Sequence, residues 1–235
     1  MDTGDRSVSR TVLTYQAGRL SSCRRELAEE VSWTLTVNGQ AAGSFSCSPW
    51  DTEETALGYL YLNGFIGQAD EVFCLRVDSE QGAIEAQLKP QCAPAGCSPR
   101  TISLKAAQVL ELAAGLEASS GLYHRTGGVH SAALAREEQL LIYREDVSRH
   151  GALEKVAGAC LKEGIPTQGA ALVFSGRVAG EIVRMAAVMG CAAIIARSAP
   201  TDLACRLAEE KGITLIGFAR EDGFNIYTCP ERISL

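Results

Sequence analysis

Two thiols, Cys92 and Cys97, stand in the segment Gln91-Cys92-Ala93-Pro94-Ala95-Gly96-Cys97-Ser98-Pro99-Arg100. Two prolines and a glycine disfavour regular helix and strand there, so the sequence predicts an irregular, accessible loop. A thiolate is the nucleophilic form of cysteine, and positive charge nearby favours it. Arg100 follows Cys97 by three positions, and Ser103 reads as the N-cap of a following helix, whose positive end adds to the effect. The competing readings are a small hydrophobe packed in a turn, or half of a zinc knuckle. No second cysteine pair completes a zinc site, and no structural metal is expected.

Other residues of chemical interest gather at glycine- and serine-rich places. Arg125-Thr126-Gly127-Gly128-Val129-His130 sets a Gly-Gly pair before an expected short helix through Ala132 and Leu134, letting backbone and imidazole approach a ligand. Arg144-Glu145-Asp146-Val147-Ser148-Arg149-His150 holds acid, base and imidazole just before a helix containing Leu153. Three further stretches read as strand exits: Phe174-Ser175-Gly176-Arg177, Arg197-Ser198-Ala199-Pro200-Thr201, and Phe218-Ala219-Arg220-Glu221-Asp222-Gly223. In open α/β sheets, ligands collect beyond the carboxyl ends of strands. If the three strands are neighbours, Arg177, Arg220 and free backbone amides converge on one pocket suited to phosphates or a pterin-like ring. Turn geometry alone also puts serine and glycine at such exits.

The elements that must position these groups fall into two textures. Residues 1–25 are polar and basic without apolar periodicity and read as a loose arm or edge strand. Val31, Trp33, Leu35 and Val37 alternate as a strand closed by Asn38-Gly39, with a return strand through Phe45. Asp51-Thr52-Glu53-Glu54 reads as a capping box opening a helix that stops at Asn63-Gly64. Strands over 72–77 and 84–88 flank Ser79-Glu80-Gln81-Gly82. Beyond the thiol loop, helices over 104–116 and around Leu153, Val156 and Leu161 alternate with apolar runs of strand length at 140–143, 170–174, 192–196 and 213–218. That alternation marks an α/β sheet covered on both faces. The expected division is a small α+β domain over 1–100 and an α/β domain over 101–235.

Composition narrows the function classes. The chain has 235 residues, 46% apolar, with a formal charge of −6 at pH 7. No basic cluster is present to neutralise phosphates along a nucleic acid, so none is expected as partner. No leader-like start and no apolar run of bilayer length is seen, so no membrane partner and a cytoplasmic location are expected. In that compartment most of the nine cysteines should be reduced, with Cys47, Cys74, Cys160, Cys191 and Cys205 in the core. A zinc deaminase needs His-x-Glu and Pro-Cys-x-x-Cys. His130 is instead followed by Ser131-Ala132, and four residues separate Cys92 from Cys97. Walker and Gly-x-Gly-x-x-Gly motifs are absent.

The run Thr126-Gly127-Gly128-Val129-His130, then Glu145 to His150 with Lys155, Ser175-Gly176-Arg177, Ser198-Ala199-Pro200-Thr201, Leu215-Ile216-Gly217-Phe218-Ala219-Arg220 and Phe224-Asn225-Ile226-Tyr227-Thr228 resembles the formate dehydrogenase accessory sulfurtransferase family. The likeness runs from about Leu35 to the end. It implies a cytidine-deaminase-like three-layer α/β/α domain, lacking the deaminase metal site and preceded by the smaller α+β domain. It further implies transfer of persulfide sulfur from a cysteine desulfurase to the molybdenum bis(molybdopterin guanine dinucleotide) cofactor, held as a bound substrate and destined for formate dehydrogenase or a related molybdoenzyme. By the same likeness Cys97 carries the sulfur and Cys92 is a relay or resolving thiol. Phe218, Ala219, Arg220, Glu221, Asp222 and Gly223 contact the cofactor, while Ser175, Gly176, Arg177, Thr126, Gly127 and His130 frame its nucleotide end. A homodimer is expected from relatives. Two departures stand out: the family's Cys-Gly-x-Cys-Gly is here Cys92-x4-Cys97-Ser98, and Gly151 replaces the usual Asn after His150.

Two other function classes remain open on the sequence. One is a carrier that shelters and delivers the cofactor with no sulfur chemistry. The other is a metal-dependent hydrolase on the same scaffold.

Overall fold

In the computed structural model, residues 6–89 and 102–235 are described. Cys92, Cys97 and Arg100 lie outside the described residues. The first element is a ribbon of Ser7–Gln16 (β1) and Arg19–Ala28 (β2), paired antiparallel from Ser7↔Ala28 to Gln16↔Arg19. Ala17 and Gly18 join the strands with φ of 49° and 80°, the two left-handed residues that match strand twist in a tight hairpin. Within the stretch expected as a loose arm or edge strand over 1–25, the residues from Ser7 onward form a regular ribbon.

A four-stranded sheet follows, in the order β4-β3-β6-β5, from Val31–Val37 (β3), Gln40–Cys47 (β4), Val72–Asp78 (β5) and Ala83–Leu88 (β6). The helix Thr52–Leu62 (α1) separates β4 from β5 in sequence. Trp33, Leu35, Ile84 and Leu60 pack between sheet and helix, as the alternation at Val31 to Val37 requires. The expected capping box is not formed. Asp51 takes φ 55° and makes no side-chain cap bond, its carboxylate lying 3.5 Å from Arg6 instead.

The second part is organised on a six-stranded mixed sheet. Leu104–Lys105 (β7) pairs in parallel with Ile233–Ser234 (β14) beside the helix Ala106–Ser119 (α2). Gly121–Thr126 (α3), His130–Arg136 (β8), Gln139–Asp146 (β9) and Arg149–Glu163 (α4) follow. Then come Ala171–Phe174 (β10), Gly180–Val188 (α5), Ala193–Ala196 (β11), Asp202–Glu210 (α6), Thr214–Arg220 (β12) and Gly223–Ile226 (β13). Sheet order is β13-β12-β11-β10-β8-β9. The strands β10, β11 and β12 run parallel, while β8 and β13 meet them antiparallel. One face packs on Leu153, Val156, Ile182, Ala204 and their neighbours from α4, α5 and α6. The other packs on Val109, Leu112 and Leu116 of α2, so the sheet lies between two helical layers.

Three local expectations change. The run through Ala132 and Leu134 is the strand β8, not a helix. The α2 cap is Lys105 rather than Ser103, because Leu104 and Lys105 are held by β14. His130, expected at a helix start, opens a strand.

The two parts are joined tightly. A methyl on Gly58 of α1 would land on the Glu154 carbonyl oxygen of α4, and one on Gly158 of α4 would land on the Glu54 carbonyl oxygen of α1. The helices therefore touch backbone to backbone, an approach that only glycine permits. Beside this crossing Lys155 and Asp146, both 0% exposed, pair at 2.8 Å. Asp146 also accepts from the Ser48 and Ser148 amides at 3.0 and 2.7 Å. Lys155 sits 4.9 Å from the centre of the Trp50 ring, whose Nε1 donates to the Glu145 carbonyl. Ser48 and Trp50 come from the first part, so this buried clasp pins β4 and α1 to the core.

Candidate functional site

The cleft lies where the strand ends gather. Parallel β10, β11 and β12 exit at Ser175, Arg197 and Arg220, and antiparallel β8 begins beside them at His130. Together with the end of α2 and with α3, they enclose about 430 Å³, lined by Glu117, Ser120, Tyr123, Gly127, Gly128, Val129, His130, Ser131, Ser175, Arg197 and Arg220. That volume lies in the range of small-molecule pockets.

Each wall has a local cause. Glu145, at the end of β9, accepts from the Leu122 and Tyr123 amides at 3.4 and 3.2 Å, which satisfies free donors at the start of α3. The helix then stops because Gly127 takes φ 67°, and the Thr126 hydroxyl donates to the Leu122 carbonyl and accepts from the Gly128 amide. Thr126 thus shapes the turn without lining the cleft. On the floor the Ser131 amide donates to Ser175 Oγ at 2.8 Å and the Ser175 amide to the Ser131 carbonyl. Ser120 and Ser131 share a hydrogen bond at 2.8 Å, with the Tyr143 hydroxyl donating to both.

The charged groups are held but not used up. Arg197 reaches Glu117 at 3.2 Å, the two side chains being 22% and 36% exposed. Arg220 Nε donates to the Arg197 carbonyl at 2.9 Å, and this exposed side chain lines the cleft. Burial, with Arg149 adding to it, holds the His130 imidazole below its ordinary pKa, so at neutral pH the ring is uncharged and can both give and accept a hydrogen bond. Gly176 is needed beside it: a Cβ there would sit 2.8 Å from Phe174 Cζ and 3.1 Å from His130 Nδ1.

Of the residues singled out by sequence, the fold brings Gly127, His130, Ser175 and Arg220 into the cleft, with Gly176 and Thr126 supporting it. Arg177 is exposed outside it, and Arg197 takes the place expected of Arg177. Phe218 is 45% exposed, with φ 55°, its amide donating to the Ser198 carbonyl. Ala219 is buried against the α2 layer. Glu221 and Asp222 form the exposed turn between β12 and β13, and the exposed Gly223 opens β13. None of these five lines the cleft. Arg197 was legible as the residue following an apolar strand. Glu117, Ser120 and Tyr123 carry no signal in sequence, since they arrive through the packing of α2 and α3.

Chemically, two guanidiniums, a neutral imidazole, four hydroxyls and a glycine-lined wall suit an anionic ligand rich in hydrogen-bonding groups. Among the described residues, none of the seven cysteines lines the cleft. Burial pushes the Cys47 and Cys160 thiols up to about 12, which leaves them as inert core residues. Cys47, Cys160 and Cys191 are buried as expected, whereas Cys74 and Cys205 are only partly so.

A model of the FdhD/NarQ family matches residues 28–96 and 91–234. The sulfur carrier protein FdhD of Shouchella clausii is 35% identical over 258 residues, covering 97% of each chain. That of Staphylococcus haemolyticus is 34% identical over 251 residues, covering 95% of each. The crystal structure of a protein of Desulfotalea psychrophila assigned as a formate dehydrogenase accessory protein superimposes with a TM-score of 0.85 at 28% identity, over 97% of this chain and 99% of the other.

Proposed function

The chain belongs to the FdhD/NarQ family, and on that premise we propose that it is a sulfur carrier which binds the molybdenum bis(molybdopterin guanine dinucleotide) cofactor as substrate and sulfurates it for formate dehydrogenase. The observation that carries this reading is the cleft: cationic, hydroxyl-lined, of small-molecule size, and without a thiol of its own among the described residues. The thiols this reading assigns to sulfur, Cys92 and Cys97, lie outside the described residues.

The proposed step begins with the Cys97 thiolate attacking the outer sulfur of a desulfurase cysteine persulfide. The S–S bond of the donor breaks, the desulfurase cysteine leaves as thiolate, and a persulfide forms on Cys97. Attack of the Cys92 thiolate on the inner Cys97 sulfur then releases hydrosulfide for the metal and leaves a Cys92–Cys97 disulfide. The two electrons that reduce the transferred sulfur come from the thiol pair, and a thiol reductant restores it. In this reading Arg197, Arg220 and the Gly127-Gly128 turn hold phosphates, while His130 and the serines meet the nucleotide's polar edge. The exposed Phe218, Glu221, Asp222 and Gly223, next to Arg220 in sequence, face the larger pterin and metal end. The mixed sheet between two helical layers supports the cytidine-deaminase-like likeness. Among the described residues no helix is long and apolar enough to cross a membrane.

A pure delivery role, without sulfur transfer, is the second reading, resting on a cleft whose described lining is built for binding alone. Complementation of a strain lacking its own copy separates the two. The sulfur-carrier reading expects Cys97→Ala to abolish formate dehydrogenase activity while cofactor still co-purifies with the protein. Full activity of Cys97→Ala, together with loss of cofactor in Arg220→Ala, would establish delivery alone.

A further inference from the structure

A second cavity, of about 350 Å³, opens between α1, α4 and α5 and shares no lining residue with the cleft. Glu154 of α4 is the one buried member of its lining, only 7% exposed. Among the described residues its carboxyl takes part in no hydrogen bond or ion pair. Two neighbours that could serve it are committed elsewhere: Lys155 pairs with Asp146 at 2.8 Å, and the Tyr59 hydroxyl donates to the Ala42 carbonyl at 3.4 Å. A carboxyl buried without a partner is costly to keep. The cavity beside it is where the missing donor can sit.

The rest of the lining sets the class of ligand. Glu181 is engaged with the His150 ring at 3.0 Å, whereas Arg184, exposed on α5, makes no ion pair among the described residues. Two uncommitted groups of opposite kind therefore face one cavity, a buried carboxyl and an open guanidinium. Leu62 and Met185, both partly buried, add an apolar wall. The volume is at the low end for small-molecule pockets, which suits a compact ligand carrying an ammonium, a carboxylate and a short apolar chain.

We propose that this cavity binds a free α-amino acid with an apolar side chain: the ammonium on Glu154, the carboxylate on Arg184 and the side chain against Leu62 and Met185. The inference stands apart from the sulfur-transfer reading, since it uses neither the cleft nor Cys92 and Cys97. Burial, with Asp146 adding to it, raises the empty Glu154 carboxyl to about 8, so at pH 7 it is mostly protonated. To pair with an ammonium it must ionise, and its proton passes to the solvent. The other titratable or charged groups around it are Tyr59 of α1, His150 of α4, Glu181 and Arg184 of α5, and Asp146, Lys155 and Cys47 on the side of the clasp.

Titration calorimetry of the full chain with L-leucine, at pH 7 in two buffers of different ionisation enthalpy, tests it. The wild type should bind one-to-one and release about one proton, and His150→Gln should keep that release. Glu154→Gln, which preserves the side chain's shape, should weaken binding by about tenfold to a hundredfold, the loss of one charge-assisted hydrogen bond. Arg184→Ala should weaken L-leucine by about tenfold or more while leaving isopentylamine, which lacks the carboxylate, unchanged. Isocaproate, which lacks the ammonium, should not bind. The proposal is overturned if millimolar L-leucine gives no binding heat, if Glu154→Gln binds it as the wild type does, or if isopentylamine binds the wild type as tightly. Loss of L-leucine binding in Arg220→Ala would move the ligand to the cleft and equally overturn it.

Discussion

Two charged clusters sit on either side of the β8–β9 pair, where His130 lies opposite Asp146, and they are built to opposite ends. In the clasp, Lys155 and Asp146 are sealed from water, and the carboxylate also takes two backbone amides and the lysine an aromatic face. In the cleft, the Arg197–Glu117 pair is partly open, and Arg220 has hydrogen-bonding capacity to spare. Bonding capacity left over beside a cavity, not charge itself, separates a recognising residue from a structural one.

The sharpest break of that contrast is Lys155→Ala. It strands the Asp146 carboxylate in the interior, and losing one partner of a buried pair costs about 3–5 kcal/mol. Urea unfolding should show that loss in a single transition, because the clasp and the Gly58–Gly158 crossing tie both parts together. Arg197→Ala and Arg220→Ala should leave the unfolding midpoint nearly unchanged. Each should instead weaken binding of guanosine diphosphate, a probe for the proposed nucleotide end, by about 1.5–3 kcal/mol, the range for hydrogen bonds to a charged group. Titration calorimetry on the folded variants reads this directly.

Smaller effects sharpen the boundary between the clusters. Burial, with Asp146 beside it, raises the Glu154 carboxyl from 4.5 to about 8. The folded protein therefore keeps a proton that the unfolded chain releases near its ordinary pKa. Stability should fall as pH rises from about 4.5 to about 8 and level off above, because the folded state binds more protons throughout that window. Glu154→Gln removes the dependence. It should be more stable than wild type at pH 8 by about 1–2 kcal/mol, allowing for water in the cavity that the carboxyl lines, and equal to it near pH 4.5. Gly176→Ala should cost about 1 kcal/mol through overpacking against Phe174 and His130, with a matching loss of nucleotide affinity.

Much of the frame was legible because it rests on short-range pattern. The alternation at Val31 to Val37, the apolar runs at β10, β11 and β12, and Thr201 as the cap of α6, where its hydroxyl accepts from the Ala204 amide at 3.2 Å, all follow from local rules. The run His130-Ser131-Ala132-Ala133-Leu134-Ala135 misleads because alanine and leucine favour helix. A strand buried on both faces shows no alternation to contradict that preference. The α2 cap was illegible for another reason, since β14 arrives from the far end of the chain. In the cleft, residues at strand exits could be read, whereas Glu117 and Tyr123 enter through helices whose placement no local pattern encodes. The ribbon was read only as a loose arm or an edge strand because its alternation is diluted by arginine and serine. The Ala17-Gly18 turn was the available signal.

The account turns on which sulfur is loaded, and peptide mass spectrometry after incubation with a cysteine desulfurase and cysteine locates it. One added sulfur atom is expected on the peptide bearing Cys97, absent from Cys97→Ala protein of unchanged fold. An added sulfur on Cys74 or Cys229 in its place, or equal loading of Cys97→Ala, would contradict it.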